Sequence, residues 1–277
     1  MGIPVLILGE SGTGKSASMR NFKADEIALA NVAGKPLPFK GRFNEVINSD
    51  SYRVIKKFMK EAAADCVVID DAQYLMANEF MRRSAERGYD KFTEIAVNFW
   101  DLVQAVRELP DNKIIIFMAH IERDANGNEK IKTIGKLLDE KITVEGMFTI
   151  VLKTSVSDGK YSFITQNSGH DTVKSPIGMF GATEIDNDLK EVVTSIQHYY
   201  EIPCAIGDKI ENYAEANETD ISTISDEDAP TISDDDIPFT VGETVEEKVV
   251  EKAETVEESK PAVEEEKPKR RTRRTRN

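Results

Sequence analysis

The sequence predicts an α/β fold, a mostly parallel sheet flanked by helices, on three observations. Short apolar runs at residues 3–8, 66–69 and 113–119 have strand length and lack polar alternation, as strands buried on both faces do. Between the second and third runs, residues 90–109 repeat apolar side chains at helical spacing, and residues 51–64 do so before the second. Polar residues stand at the ends of the later runs, Asp70-Asp71 after the second and His120 after the third. In open α/β sheets ligands bind at that edge.

The first run leads directly into Gly9-Glu10-Ser11-Gly12-Thr13-Gly14-Lys15-Ser16, which fits G-x-x-x-x-G-K-[ST] between a strand and a helix. Glycines let backbone N–H groups wrap an anion, and a helix N-terminus adds partial positive charge. Lys15 can reach β- and γ-phosphates, and the Ser16 hydroxyl can ligate Mg²⁺. ATP with Mg²⁺ is therefore the expected ligand. All eight residues are expected to line the nucleotide site, with Lys15 also acting in catalysis.

Residues 16–22 read as the start of a helix, and after that helix residues 31–42, with Gly34, Pro36, Pro38 and Gly41, form a connection. Residues 43–49 are a weak strand candidate. Ser49 or Asp50 can cap the helix over 51–64, whose apolar face is Tyr52, Ile55, Phe58, Met59 and Ala62. In the strand that follows, Asp70 is the expected second Mg²⁺ anchor, directly or through water. Asp71 either polarises the attacking water or caps the next helix; Glu79 and Glu45 are weaker candidates for the base.

Residues 72–87 read as a helix carrying Arg82, Arg83 and Arg87, a solvated face or a contact to DNA or a neighbouring subunit's nucleotide. The helix over 90–109 presents Phe92, Ile95, Ala96, Phe99, Leu102, Val103, Val106 and Leu109, stops at Pro110-Asp111, and places Trp100 beside the stripe as packing. His120, at the tip of the strand beside the acid-bearing one, either senses the γ-phosphate or is a hydrogen-bonded strand-end histidine. Residues 122–130 read as a turn or loop around Asn126-Gly127, with Arg123, Lys132 and Lys136 in reach of phosphate or DNA. Residues 148–154 and 160–165 flank Ser157-Asp158-Gly159 as a β-hairpin. Residues 168–180 are loop-like, 188–200 form a last helix, and the domain is expected to span 1–213.

Charge is unevenly placed. Residues 215–266 hold 19 acidic and 3 basic side chains, residues 267–277 hold 7 basic ones and no acid, and the whole chain carries −14, so residues 1–214 are only mildly acidic. That balance does not announce a nucleic-acid binder, although local patches remain. Two cysteines, Cys66 and Cys204, make no disulfide framework and point to a reducing compartment. No apolar run approaches 18 residues, so no membrane partner is expected.

Residues 214–266 lack apolar periodicity and read as a disordered acidic tail, followed by a basic arm over 267–277. The tail holds an eight-residue tandem repeat, Thr223 to Pro230 followed at once by Thr231 to Pro238. The second copy runs into Asp234-Asp235-Asp236-Ile237-Pro238-Phe239, which resembles the acidic tip by which bacterial single-stranded-DNA-binding proteins recruit partners. In that family the phenylalanine is terminal; here Thr240 follows. The bland alternative is an acidic spacer. The arm either binds phosphate backbones or folds back on the acidic tract.

Taken in order, the Gly9–Ser16 loop, the Asp70-Asp71 strand end with Ala72-Gln73-Tyr74-Leu75, the Ala119-His120 strand end, the hairpin and Lys174-Ser175-Pro176 resemble the phage-encoded AAA/RecA-like P-loop ATP-binding proteins. Some of these are single-strand annealing ATPases similar to a shortened RecA core. The resemblance covers roughly residues 1–200. It implies ATP and Mg²⁺ at Gly9, Gly12, Gly14, Lys15, Ser16 and Asp70, and single-stranded DNA as partner. It also implies a homo-oligomer and a role in phage replication or recombination in the bacterial host cytoplasm. Asp71 makes the acid pair nearer the Asp-Glu of AAA+ proteins than the Asp-Ser frequent in RecA relatives. The leading expectation is thus an ATPase acting on single-stranded DNA. The alternative is a nucleotide-gated adaptor or helicase-loader-like protein that recruits replication partners through its tail. A metabolite kinase is the weakest, for want of an Arg-rich lid.

Overall fold

The computed structural model describes residues 1–203 apart from residue 125. Its strands are β1 (Ile3–Gly9), β2 (Ile27–Asn31), β3 (Glu45–Asn48), β4 (Cys66–Asp70), β5 (Ile114–Arg123), β6 (Glu129–Ile131), β7 (Ile150–Ser157), β8 (Lys160–Ile164) and β9 (Glu184–Asp186). The α-helices are α1 (Tyr52–Glu61), α2 (Gln73–Arg82), α3 (Asp90–Ala105) and α4 (Leu189–Tyr199). The sheet order is β3-β2-β4-β5-β1-β7-β8-β9, with β6 paired to β5. From β3 to β7 every pairing is parallel; β8 and β9 add antiparallel.

The unalternating apolar runs are explained by helices on both faces. Leu6 and Leu8 of β1, with Ile115, Phe117 and Ala119 of β5, pack with α1, α2 and α3. Val5 and Ile7, with Ile114, Ile116 and Met118, pack on the opposite face with Met19, Phe22 and α4. Successive residues of one strand therefore feed two separate cores.

Several expectations are corrected. The helix after Ser16 is a six-residue 3₁₀ segment, Ser16–Asn21, that ends where Phe22 turns extended. Ser18 Oγ donates to Lys15 O at 2.5 Å, a local bond that competes with a regular α-helical start. The following Ile-Ala-Leu-Ala-Asn segment has helical propensity but forms β2, fully buried between β3 and β4; packing overrides propensity. The turn expected around Asn126-Gly127 is present, with Gly127 N donating to Asp124 O at 3.0 Å, but its flanks are strands, because Ile121–Arg123 pair with β6. The short strand β9 also carried no apolar signal of its own. Trp100 is 38% exposed on the outer side of α3, so it is not core packing.

Other elements form where the residues dictate. The β7–β8 turn has Asp158 and Gly159 both at positive φ, 51° and 77°, as a type I′ hairpin requires. Asp188 caps α4 by accepting from Lys190 N at 2.9 Å. Neither Ser49 nor Asp50 caps α1, whose first position follows Ser51 without a side-chain cap. No helix among the described residues is long and apolar enough to cross a membrane. The domain end at 213, Cys204, the tandem repeat, Asp234 to Phe239 and the basic arm lie outside the described residues.

Candidate functional site

β5 lies between β1 and β4, so the Gly9 loop, His120 and the Asp70-Asp71 pair come together at one edge. Gly9 and His120 are register partners, and Asp70 pairs with Asn31 of β2. The topology thus assembles at the C-terminal ends of four parallel strands what the sequence separates by more than a hundred residues.

The glycines of the loop are needed for different reasons. Gly12 and Gly14 sit at φ 81° and 96°, where a side chain strains the backbone. Gly9 is limited by space: a Cβ there would stand 1.9 Å from Thr154 Oγ1 and 2.7 Å from Thr13 Oγ1. Thr13 Oγ1 donates to Glu10 O at 2.8 Å and lies 2.6 Å from Thr154 Oγ1, pinning the loop to β7. Around Gly14 the wall is Tyr161 and Asn187, and Arg20 donates to Asn187 O at 2.5 Å. Gly12 opens onto free space.

Lys15 is only 6% exposed and donates to Gly9 O at 2.8 Å and Glu10 O at 2.7 Å. Burial lowers its pKa to about 8, against the pull of Asp71 and Asp70. An ammonium has three N–H donors, so those carbonyls leave one for an anion. Ser16 Oγ lies 2.8 Å from Asp70 Oδ2 and 3.0 Å from Oδ1. Burial pushes the Asp70 carboxyl up, and the Ser16 hydrogen bond opposes it. A hydroxyl and a carboxylate, both hard oxygen donors, converge beside a buried lysine. That donor set would suit a hydrated divalent cation such as Mg²⁺.

Asp71 turns the chain from β4 into α2 in the left-handed region, φ 59°. Its Oδ1 lies 3.5 Å from His120 Nε2, and its Oδ2 accepts from Lys35 Nζ at 2.9 Å. Burial pushes its carboxyl up, but the bonds from His120 and Lys35 outweigh that and hold it at about 2. Asp71 is therefore a carboxylate at every physiological pH, and it does not serve as a side-chain cap for α2. His120 is further held by Gln73, whose Oε1 accepts from His120 N at 3.2 Å, and packs edge-on against Tyr74.

The weaker candidates lie elsewhere. Glu45 is at the opposite, N-terminal edge of β3, where it accepts from Ala63 N and Ala64 N. Glu79 is engaged with Asn98 and Arg83. Arg82 pairs with Asp50, and Arg83 with Glu79, Glu86 and Glu94, which makes this run an ion-paired face. Arg123 does reach the loop, 3.2 Å from Glu10 Oε1, while also holding Glu129 at 3.0 Å; Lys136 pairs with Glu140.

Sequence reasoning missed Lys35, Gln73 and Thr154 as parts of this edge. Lys35 sat inside a stretch read as a plain connection; the available signal was Gly34-Lys35 just beyond a polar strand end, Asn31. Thr154 was counted as a hairpin residue, and only the β1–β7 pairing brings it to Gly9.

No family model matches the chain, and no curated protein matches it to a significant level.

Proposed function

We propose that the chain binds ATP with Mg²⁺ through the Gly9–Ser16 loop and hydrolyses it as a P-loop ATPase of the RecA/AAA type. The observation that carries this reading is the meeting of Ser16 Oγ and Asp70 Oδ2 at 2.8 Å, beside a loop whose lysine is buried with its charge. Two residues 54 positions apart were assigned to one cation from sequence, and they are in contact.

Bound Mg²⁺ supplies charge neutralisation on the phosphates. The chain's own groups divide the remaining work. Loop N–H groups and Lys15 would hold the phosphate oxygens, Ser16 and Asp70 would hold the ion, and Asp71 would orient the attacking water. His120 orients Asp71 from the neighbouring strand. Because the segment after Ser16 is a short 3₁₀ turn, helix-terminal charge contributes little; the loop N–H groups and Lys15 carry the anion. Arrangement and charge stabilisation are what phosphoryl transfer needs.

The cellular setting rests on the sequence resemblance: single-stranded DNA annealing, recombination or replication in a phage-infected bacterial cytoplasm, by a homo-oligomer, with partners recruited through Asp234 to Phe239. One observation favours the adaptor reading as second. Asp71 is tied to both Lys35 and His120, a state in which proton abstraction is slow.

The experiment is ATP turnover by the full chain with and without single-stranded DNA, alongside Lys15→Ala. Turnover abolished by Lys15→Ala supports the ATPase. Nucleotide binding with no turnover under either condition leaves the adaptor, and no binding rejects both.

A further inference from the structure

We propose that Lys35 senses the third phosphate of a bound nucleoside triphosphate, exchanging its Asp71 partner for that phosphate. One lysine of this chain would then distinguish a triphosphate from a diphosphate. The inference rests on the ATP reading above and adds to it a second group of this chain at the third phosphate, a role the sequence offered to His120.

The chain is folded back to put Lys35 there. β2 ends at Asn31, in register with Asp70. Asn31 is 8% exposed and its Nδ2 donates to Lys35 O at 2.7 Å, while Gly34 takes φ 63° to close the turn. The lysine is thereby returned over the C-terminal edge. Its Nζ meets Asp71 Oδ2 at 2.9 Å and lies 5.0 Å from the centroid of the Tyr74 ring. Tyr74 in turn packs against His120. Lys35, Asp71, Tyr74 and His120 form one cluster on the carboxylate side of the site.

The two ends of the Lys35–Asp71 pair differ in freedom. The Asp71 side chain is 12% exposed and fixed by its backbone conformation and by His120. The Lys35 side chain is 59% exposed. A pair with one wet partner is weak and readily exchanged for a stronger anion. With Asp70 given to the Mg²⁺ ion, a terminal phosphate at this edge would still face the Asp71 carboxylate, a repulsion that a movable positive charge relieves. Arg123 is held by Glu10 and Glu129 and Lys153 by Glu129 and Asp171, while Lys15, with one N–H left over, serves the loop side of the phosphates. Lys35 has one acidic partner among the described contacts, Asp71, at the same strand edge as the Gly9 loop. Moving the lysine also frees Asp71, which makes the exchange a trigger for the water-activating carboxylate.

The test is equilibrium binding by calorimetry of Mg²⁺ with ADP and Mg²⁺ with a non-hydrolysable ATP analogue. The proteins are the full-length chain and its Lys35→Ala, Lys35→Gln and Lys35→Arg variants, with thermal unfolding to confirm that each folds. Lys35→Ala and Lys35→Gln are expected to weaken the triphosphate roughly tenfold or more and the diphosphate less than about twofold, the loss of one charge-assisted contact. Lys35→Arg is expected to restore most of the preference. Equal weakening of both nucleotides, or no change, overturns the role of Lys35 while leaving the ATP reading intact. Wild-type protein that binds neither nucleotide overturns both.

Discussion

Replacing Gly9 by alanine tests the packing of the loop without reference to any ligand. The new Cβ would stand 1.9 Å from Thr154 Oγ1, 2.7 Å from Thr13 Oγ1 and 3.2 Å from Thr154 Cβ. Thr154 is 5% exposed and cannot swing into solvent. Forcing its hydroxyl aside costs about 1–3 kcal/mol as overpacking. Losing the Thr13–Thr154 hydrogen bond at 2.6 Å costs about 1 kcal/mol more. Gly9→Ala should therefore destabilise the domain by about 2–4 kcal/mol, a Tm drop on the order of 5–15 °C for a domain this size. Thr154→Ala alone should cost about 1 kcal/mol, because it removes the bond and creates little strain. In the double variant the clashing oxygen is gone, so the pair should be less destabilised than the sum of the singles by about 1 kcal/mol or more. Thr154→Val keeps the bulk and should give no such relief. Urea unfolding of the three single variants and of Gly9→Ala combined with each Thr154 change measures these terms. Additive behaviour of Gly9→Ala and Thr154→Ala, within about 0.5 kcal/mol, would refute the close approach of β1 to β7 described above.

Three further outcomes follow from the same geometry. Lys15→Met removes an ammonium that burial disfavours, so Tm should hold or rise while nucleotide affinity falls by roughly a hundredfold or more; thermal shift and calorimetry on one sample separate the two. Ser16→Ala leaves the buried Asp70 carboxylate without its hydroxyl donor, and should cost about 1–3 kcal/mol at neutral pH and abolish the Mg²⁺ dependence of nucleotide binding, read by titrating the metal at fixed nucleotide. For Asp171, burial acts to raise the carboxyl pKa, but Ser168, Lys153 and Val173 N outweigh it, so the folded value lies below 3.8. The unfolded chain then binds more protons on acidification, and the stabilisation, fully present above pH 3.8, is lost as pH falls through the folded value. Asp171→Asn should flatten that acid limb of the unfolding midpoint against pH; an unchanged limb would reject the ion-paired geometry.

The sequence by itself determined the elements whose signal is local. A strand buried on both faces needs a continuous apolar run, so β1, β4 and β5 were legible, and helical spacing exposed α1, α3 and α4. The loop chemistry was equally local, because eight consecutive residues specify it. What only the tertiary structure decided was anything set by neighbours. β2 has the residues of a helix and is a strand because β3 and β4 flank it. The strand order that seats β5 between β1 and β4 brings His120 beside Gly9, and no periodicity encodes strand order. Lys35 reaches Asp71 across 36 positions through a turn set by Asn31 and Gly34, and Thr154 limits Gly9 across a strand pair. Such contacts depend on where the chain returns in space, and local composition carries no record of that return.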